Sequence, residues 1–164
     1  MNLKGGVMHK IKYILTAVII LSSIGISAQE IYEDENGIYY ASNYDLYEGT
    51  YKEYYDNGKL KIETSLDDGI LDGTSTLYFP NGMKNEIRSY KNGQMNGTWI
   101  TWNNEGVKMA EANYKNNKKH GKWIIYDDQG KLKYEMMYQN GKKTGTWKKY
   151  NDDGEVIEKR NYDN

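Results

Sequence analysis

Cysteine is absent from the 164 residues, and proline and phenylalanine occur once each, as Pro80 and Phe79. Without cysteine there is no disulfide framework, thiolate nucleophile or Cys-ligated zinc, and no cysteine to carry an N-terminal lipid. Histidine is nearly as scarce, with only His9 and His120. A Ser-His-Asp relay in the body of the chain would have to use His120, and no Gly-x-Ser-x-Gly elbow accompanies it. An excess of one charge is also missing. The 22 basic and 23 acidic side chains leave a formal net charge of −1, which gives no electrostatic reason to expect a nucleic-acid partner. Hydrophobic residues make up 38%, too few for a thick closed core. The apolar stretch from Tyr13 to Ile26 falls short of the roughly 20 residues a spanning helix needs.

What the chain does have is 17 tyrosines, 4 tryptophans and 17 glycines. Tyrosine and tryptophan suit half-buried faces, because one end of each is apolar and the other wants a polar partner or water. A thin structure with much surface is expected.

Residues 1–28 read as a signal peptide. Lys4, His9, Lys10 and Lys12 precede the apolar run, and Ser22, Ser23, Gly25, Ser27 and Ala28 supply the small residues before a cut at Gln29. Met8 is an alternative start. Export to the periplasm, to the outer membrane or to the medium is the expectation, with an uncleaved membrane anchor as the alternative. The mature chain would carry 19 basic against 23 acidic side chains.

The remainder repeats. Aligned on glycine, the units are 49–72, 73–96, 97–120, 121–144 and a shorter 145–164, each 24 residues after the last. Gly49, Gly73, Gly97, Gly121 and Gly145 open the units, and Gly58, Gly82, Gly106, Gly130 and Gly154 hold the tenth position. Gly69, Gly93 and Gly141 hold position 21, where the third unit has Asn117. Asparagine is the residue besides glycine that most readily takes φ > 0, so the substitution itself predicts a left-handed backbone there. Rings keep the same step. Position 3 carries Tyr51, Ser75, Trp99, Trp123 and Trp147; position 6 carries Tyr54, Tyr78, Trp102, Tyr126 and Tyr150; position 18 carries Leu66, Tyr90, Tyr114, Tyr138 and Tyr162.

Turn formers surround the tenth glycine, as in Asp56-Asn57-Gly58 and Asp128-Gln129-Gly130, and predict a hairpin loop. The run after it alternates, with Leu60, Ile62, Thr64 and Leu66 on one side and Lys61 and Glu63 on the other, which predicts a strand with one wetter face. Each unit is therefore strand, tight turn, strand and a glycine-containing connection. A lone hairpin is marginal in water, so stability should come from stacking side by side, with Gly at positions 1 and 21 leaving room for a neighbouring ring. The predicted fold is all-β: an elongated, single-layer antiparallel sheet of five tandem hairpins after an N-terminal signal helix. Ten strands at ~4.8 Å give a length on the order of 48 Å. Residues 29–48 read as an acidic linker, mobile over Glu30 to Glu35, and a degenerate capping half-repeat that lies out of register.

The pattern Gly-x-Trp-x-x-Tyr, three residues, Gly and then an alternating strand ending in Tyr resembles the bacterial variant of the MORN repeat. It is clearest in Gly121, Trp123, Tyr126 and Gly130, and in Gly145, Trp147, Tyr150 and Gly154. Unit two departs from it most, at Ser75 and Pro80. The resemblance implies an elongated single-layered sheet. It also implies roles as scaffold, protein-binding segment, lipid-binding surface or enzyme appendage. Many similar bacterial proteins are labelled YwqK-family antitoxins, which implies an antitoxin or immunity role that a secretory signal does not favour.

No residue pattern specifies chemistry. His120 aligns with Asp72, Asn96 and Thr144, all polar loop residues. The acidic pairs Asp127-Asp128 and Asp152-Asp153 fall in turns that favour Asp for backbone reasons and match no Ca²⁺ loop. Gly-Lys-Lys-Thr at 141–144 lacks the upstream glycine of a P-loop. Lys118 with Lys142, and Lys119 with Lys143, should align along one sheet margin. They form either a solvated protective row or an attraction for phosphate, lipopolysaccharide or anionic lipid. The expectation is a non-enzymatic interaction module without metal or cofactor. It binds an envelope protein through the position-6 face of Tyr54, Tyr78, Trp102, Tyr126 and Tyr150, with a glycan or anionic lipid as the alternative ligand. The unit-opening and tenth-position glycines, with Trp99, Trp123 and Trp147, are expected to be structural.

Overall fold

In the computed structural model, which describes residues 30–163, the described residues form fourteen strands and no helix. The expected signal segment lies outside the described residues. The first hairpin after the leading segment is β3 (Gly49–Tyr54) with β4 (Leu60–Asp67), and the second is β5 (Ile70–Tyr78) with β6 (Lys84–Lys91). The third is β7 (Gln94–Met95) continuing into β8 (Gly97–Trp102), paired with β9 (Lys108–Lys115). The fourth is β10 (Lys118–Lys119) continuing into β11 (Gly121–Tyr126), paired with β12 (Leu132–Gln139). The fifth is β13 (Lys142–Tyr150) with β14 (Val156–Asn161). These twelve strands make one antiparallel sheet in chain order. Since β7 and β10 are the first pieces of interrupted strands, the sheet has ten rows, as the 24-residue beat predicts. Contacts between strands run between neighbours in the sheet, so the body is a single layer. A separate pair, β1 (Ile31–Glu33) and β2 (Tyr39–Ala41), precedes it.

Two turns alternate along the array. Within each unit, a β-turn is followed by the tenth glycine in the left-handed region: Gly58 N–H donates to Tyr55 O at 2.8 Å with φ +76°. The second strand then carries one extra residue, so Glu53 faces Ile62 but Tyr54 faces Leu60, and the other four hairpins slip at the same place. This is a short loop closed by a left-handed glycine, with a bulge that adds twist. Asn103, Asp127 and Asn151 at position 7 steady it; the Asn103 Oδ1 accepts from Glu105 N at 3.0 Å and Val107 N at 2.9 Å. Units one and two have Tyr55 and Phe79 at that position, and Asn57 and Asn81 two residues later accept instead.

Between units lies a two-residue turn with both residues at positive φ: Asp68-Gly69, Asn92-Gly93, Asn116-Asn117 and Asn140-Gly141. Such turns match the right-handed twist of the flanking strands. Asn117 has φ +62°, as its place in the glycine register predicts. Successive turns also bond to one another. Gly93 N–H donates to Leu71 O, Asn117 to Met95 O and Gly141 to Lys119 O, at 2.8–3.0 Å. The connection is therefore a ladder in its own right.

The expectation that position 1 makes room for a ring needs correction in most units. A Cβ on Gly97 would meet the Ser89 Cβ at 3.0 Å, and the neighbours of Gly73, Gly121 and Gly145 are likewise the position-17 side chains of the preceding unit. Only Gly49 faces a ring, that of Tyr47. At position 21, a Cβ on Gly69 would come within 2.7 Å of the Tyr39 carbonyl oxygen, which is backbone. Close approach favours glycine at Gly69, Gly73 and Gly97, while at Gly121 and Gly145 the contacts are ordinary and the left-handed backbone is what favours it.

Candidate binding face

Directly opposed residues in an antiparallel pair share a face, and neighbours along a strand alternate. Trp99 opposes Ala112, Trp123 opposes Met136 and Trp147 opposes Arg160, which puts positions 3, 16 and 18 on one face. Position 6, three residues from position 3, lies on the other. The two ring sets therefore occupy opposite sides of the sheet.

The position-3 and position-18 rings form a continuous ladder. Tyr90, Trp99, Tyr114, Trp123, Tyr138, Trp147 and Tyr162 follow one another at centroid distances of 4.7–5.8 Å, mostly tilted near 55°. Tilted pairs at such distances are favourable, because they bring ring edges to ring faces. Each indole is also anchored: Trp99, Trp123 and Trp147 Nε1 donate to the carbonyls of Ser89, Asn113 and Met137, at 3.3, 2.9 and 3.0 Å. Those acceptors belong to position 17 of the preceding unit, so every tryptophan ties two units together. Lys119 and Lys143, expected along a margin, turn their ammonium groups onto this ladder. The Lys119 Nζ is 4.2 Å from the Trp123 centroid and 5.0 Å from Tyr138; the Lys143 Nζ is 4.5 Å from Trp147 and 4.9 Å from Tyr162. Leu71 and Met95 hold the same repeat position in the first two units.

The ladder breaks at Leu66 and Ser75, and among the described residues the break is where side chains are most deeply buried. Leu66 is 4% exposed, Ser75 7%, Thr64 3% and Tyr51 8%. Arg88 lies opposite Ser75, its guanidinium 5.3 Å from the Trp99 ring and paired with Glu86 at 2.6 Å. Beyond the break the leading segment resumes the pattern. Tyr39 stacks on Tyr51 at 5.3 Å, the distance at which Tyr114 meets Trp123 being 5.2 Å. Tyr40 bridges Leu46 across five residues, whereas the internal turns join Lys115 to Lys118 across two. Three extra residues thus put Tyr39 out of phase in sequence while it keeps the place of a position-18 ring. Burial, and next the Glu33 carboxylate, push its hydroxyl well above the usual tyrosine range. The Glu30–Glu35 stretch, read as mobile from sequence, contains β1, and Asp34 accepts from the amides of Asn36 and Ile38 at 2.9 Å.

The position-6 rings do not stack on one another. Tyr54 is 39% exposed, and Tyr78, Trp102, Tyr126 and Tyr150 are half-buried. Neighbouring rings are two rows apart, roughly 10 Å. Lys108, paired with Glu111 at 2.8 Å, lies 5.5 Å from the Tyr126 centroid. Tyr150 donates to the Glu135 carboxylate at 2.7 Å, and Glu135 also pairs with Lys122 and Lys148. The Lys122 ammonium, then the Tyr150 hydroxyl, hold Glu135 below the usual carboxylate range. Loss of solvent, then this bond, push Tyr150 up to about 12. Elsewhere, His120 is half-buried, with Nδ1 3.5 Å from Asn140 N, and the paired aspartates lie in the turns.

The profile of the MORN repeat variant matches residues 47–68, 71–92, 95–116, 119–140 and 143–164. The chain belongs to this family. No curated protein matches it. The MORN frame starts two residues before the glycine frame, so each matched repeat begins with the position-23 residue of the unit before: Tyr47, Leu71, Met95, Lys119 or Lys143. Repeats of this kind are generally associated with binding proteins or membrane lipids.

Proposed function

We infer that this MORN-variant protein is a non-enzymatic binding module or scaffold that is exported and holds a protein partner in the cell envelope. The position-6 face of Tyr54, Tyr78, Trp102, Tyr126 and Tyr150 makes the contact. One observation carries this reading: the rings on the ladder face stack on one another along the whole array, under indole hydrogen bonds and lysine covers, while no two rings of the set on the opposite face stack together. Rings that are rigid, half-exposed and evenly spaced are what binding hot spots are built from. Such a face holds a partner at several points along the array.

The test is affinity capture from envelope extract with the wild-type chain and with Tyr126→Ala/Trp102→Ala, both first shown to be folded. A partner retained by the wild type and lost from the variant is expected. Retention unchanged by the substitutions would remove the face from the mechanism. Mass spectrometry of the secreted chain should find a new N-terminus at Gln29.

A further inference from the structure

The outer edge of β14 has no partner among the described residues, and all six of its residues are exposed, Val156 at 39% and Ile157 at 57%. An open edge is a template for another strand. This template has a defined register, because the equivalent edge is used four times inside the array. There, position 14 always meets position 5 of the next unit and position 15 meets position 4. At these two positions the pairs between units include Glu86 with Thr101, Glu111 with Ile124 and the bridged Glu135–Lys148 at 3.6 Å, and none of them sets like charges opposite, although Lys115 faces Lys118 at an inter-unit turn and Lys148 faces Lys159 within the last hairpin. On β14 the two positions are Glu158 and Lys159.

A second copy offering β3 in this register would bring Glu53 against Glu158 and Lys52 against Lys159. Two successive like-charge pairs oppose that pairing. The charges of β3 are moreover satisfied within their own hairpin, Lys52 with Glu63 at 2.9 Å and Glu53 with Lys61 at 2.6 Å. Among the described residues no ion pair holds Glu158 or Lys159. The ring ladder ends at the same edge. Tyr162 meets Trp147 at 4.7 Å on one side, and a ring at position 3 of an incoming strand would reach its other side as Trp147 reaches Tyr138 at 5.2 Å.

We propose that the β14 edge docks an extended segment of a partner protein reading aromatic, acid, base, and that it rejects a second copy of this chain. The aromatic residue extends the ladder beyond Tyr162, the acid opposes Lys159 and the base opposes Glu158. This surface is separate from the position-6 face.

Fluorescence anisotropy of the full chain with a labelled twelve-residue peptide containing Gly-Thr-Trp-Glu-Lys-Tyr tests it. Binding should be at least roughly tenfold tighter than to the same peptide with Lys-Glu in place of Glu-Lys, as two charge pairs change from opposite to like. The variant Glu158→Lys/Lys159→Glu should reverse that preference. Neither the wild type nor the variant should assemble end to end in sedimentation, since Tyr39 already holds the place beside Tyr51 that an incoming Tyr162 would need. Tyr126→Ala should leave peptide binding unchanged, which separates this result from the fate of the position-6 reading. No binding, equal affinity for the two peptides, an unreversed preference in the variant, or end-to-end assembly of the wild-type chain would each overturn the proposal.

Discussion

The two ends of the array keep a single-layer sheet dry in different ways. From Tyr90 onward, seven rings stack without interruption, and no residue of that stretch is buried to the degree of Leu66 or Thr64. At the other end the ladder lacks two rings, and the buried residues among those described, Ala41, Tyr51, Thr64, Leu66, Gly69 and Ser75, gather there instead. The leading segment supplies Tyr39 as a substitute ring, and Tyr39 N–H and Gly69 N–H tie it to the first inter-unit turn at 2.8 Å. A ladder needs only its neighbours, so it can be repeated. A buried cluster needs a covering segment, so it is made once, at an end. The stability of the middle is thus a sum of similar interfaces, while that of the first unit depends on a particular arrangement of unlike residues.

The largest expected effect tests the ladder. Trp123→Ala removes ring contacts at 5.2 and 5.3 Å and the indole bond to Asn113 O, and it uncovers Lys119. A loss of about 3 kcal/mol in urea unfolding is expected, at the lower end for a large aromatic because the site is only half-buried. Amide exchange should rise on both flanking hairpins. A loss below about 1 kcal/mol would show that the strands hold together without the rings. Ser75→Trp is the converse test, since it writes the ladder residue into the end that lacks it. Leu66 and Thr64 already fill that site and Arg88 lies across from it, so overpacking should destabilise by about 1–3 kcal/mol. A rise in stability would mean that the break is a mere vacancy and the contrast between the ends superficial.

Much of this was legible in the residues because backbone geometry leaves few choices. Left-handed positions accept glycine or asparagine, so the turns announced themselves at every step, even where Asn117 replaced glycine. Rings at positions 3 and 18 were visible as a beat, although their mutual stacking needed the register between strands. Less legible was anything that breaks phase. Tyr39 does the work of a position-18 ring, but the three extra residues near Ala41 to Asp45 displace it from the count. Lys119 and Lys143 looked like margin charges because a side chain's direction out of a turn is not written in its spacing. Arg88 was invisible for a related reason: its role depends on Ser75, its partner across the strand pair and not its neighbour in the chain.

The smallest expected effect concerns those lysines and closes the contrast between the ends. The same repeat position holds Leu71 and Met95 in the first two units and Lys119 and Lys143 later, so either the stem or the charge could be what covers the ladder. An exposed cation–π contact contributes about 0.5–1 kcal/mol, and a methionine keeps most of the apolar stem. Lys119→Met/Lys143→Met should therefore change stability by less than about 1 kcal/mol per lysine, with a difference that shrinks as salt screens the charge. The double alanine variant, which removes the stem as well, should cost more than the methionine one, because it exposes the faces of Trp123 and Trp147. Equal losses in the two variants would show that the ammonium groups, rather than the cover, hold the later rings in line.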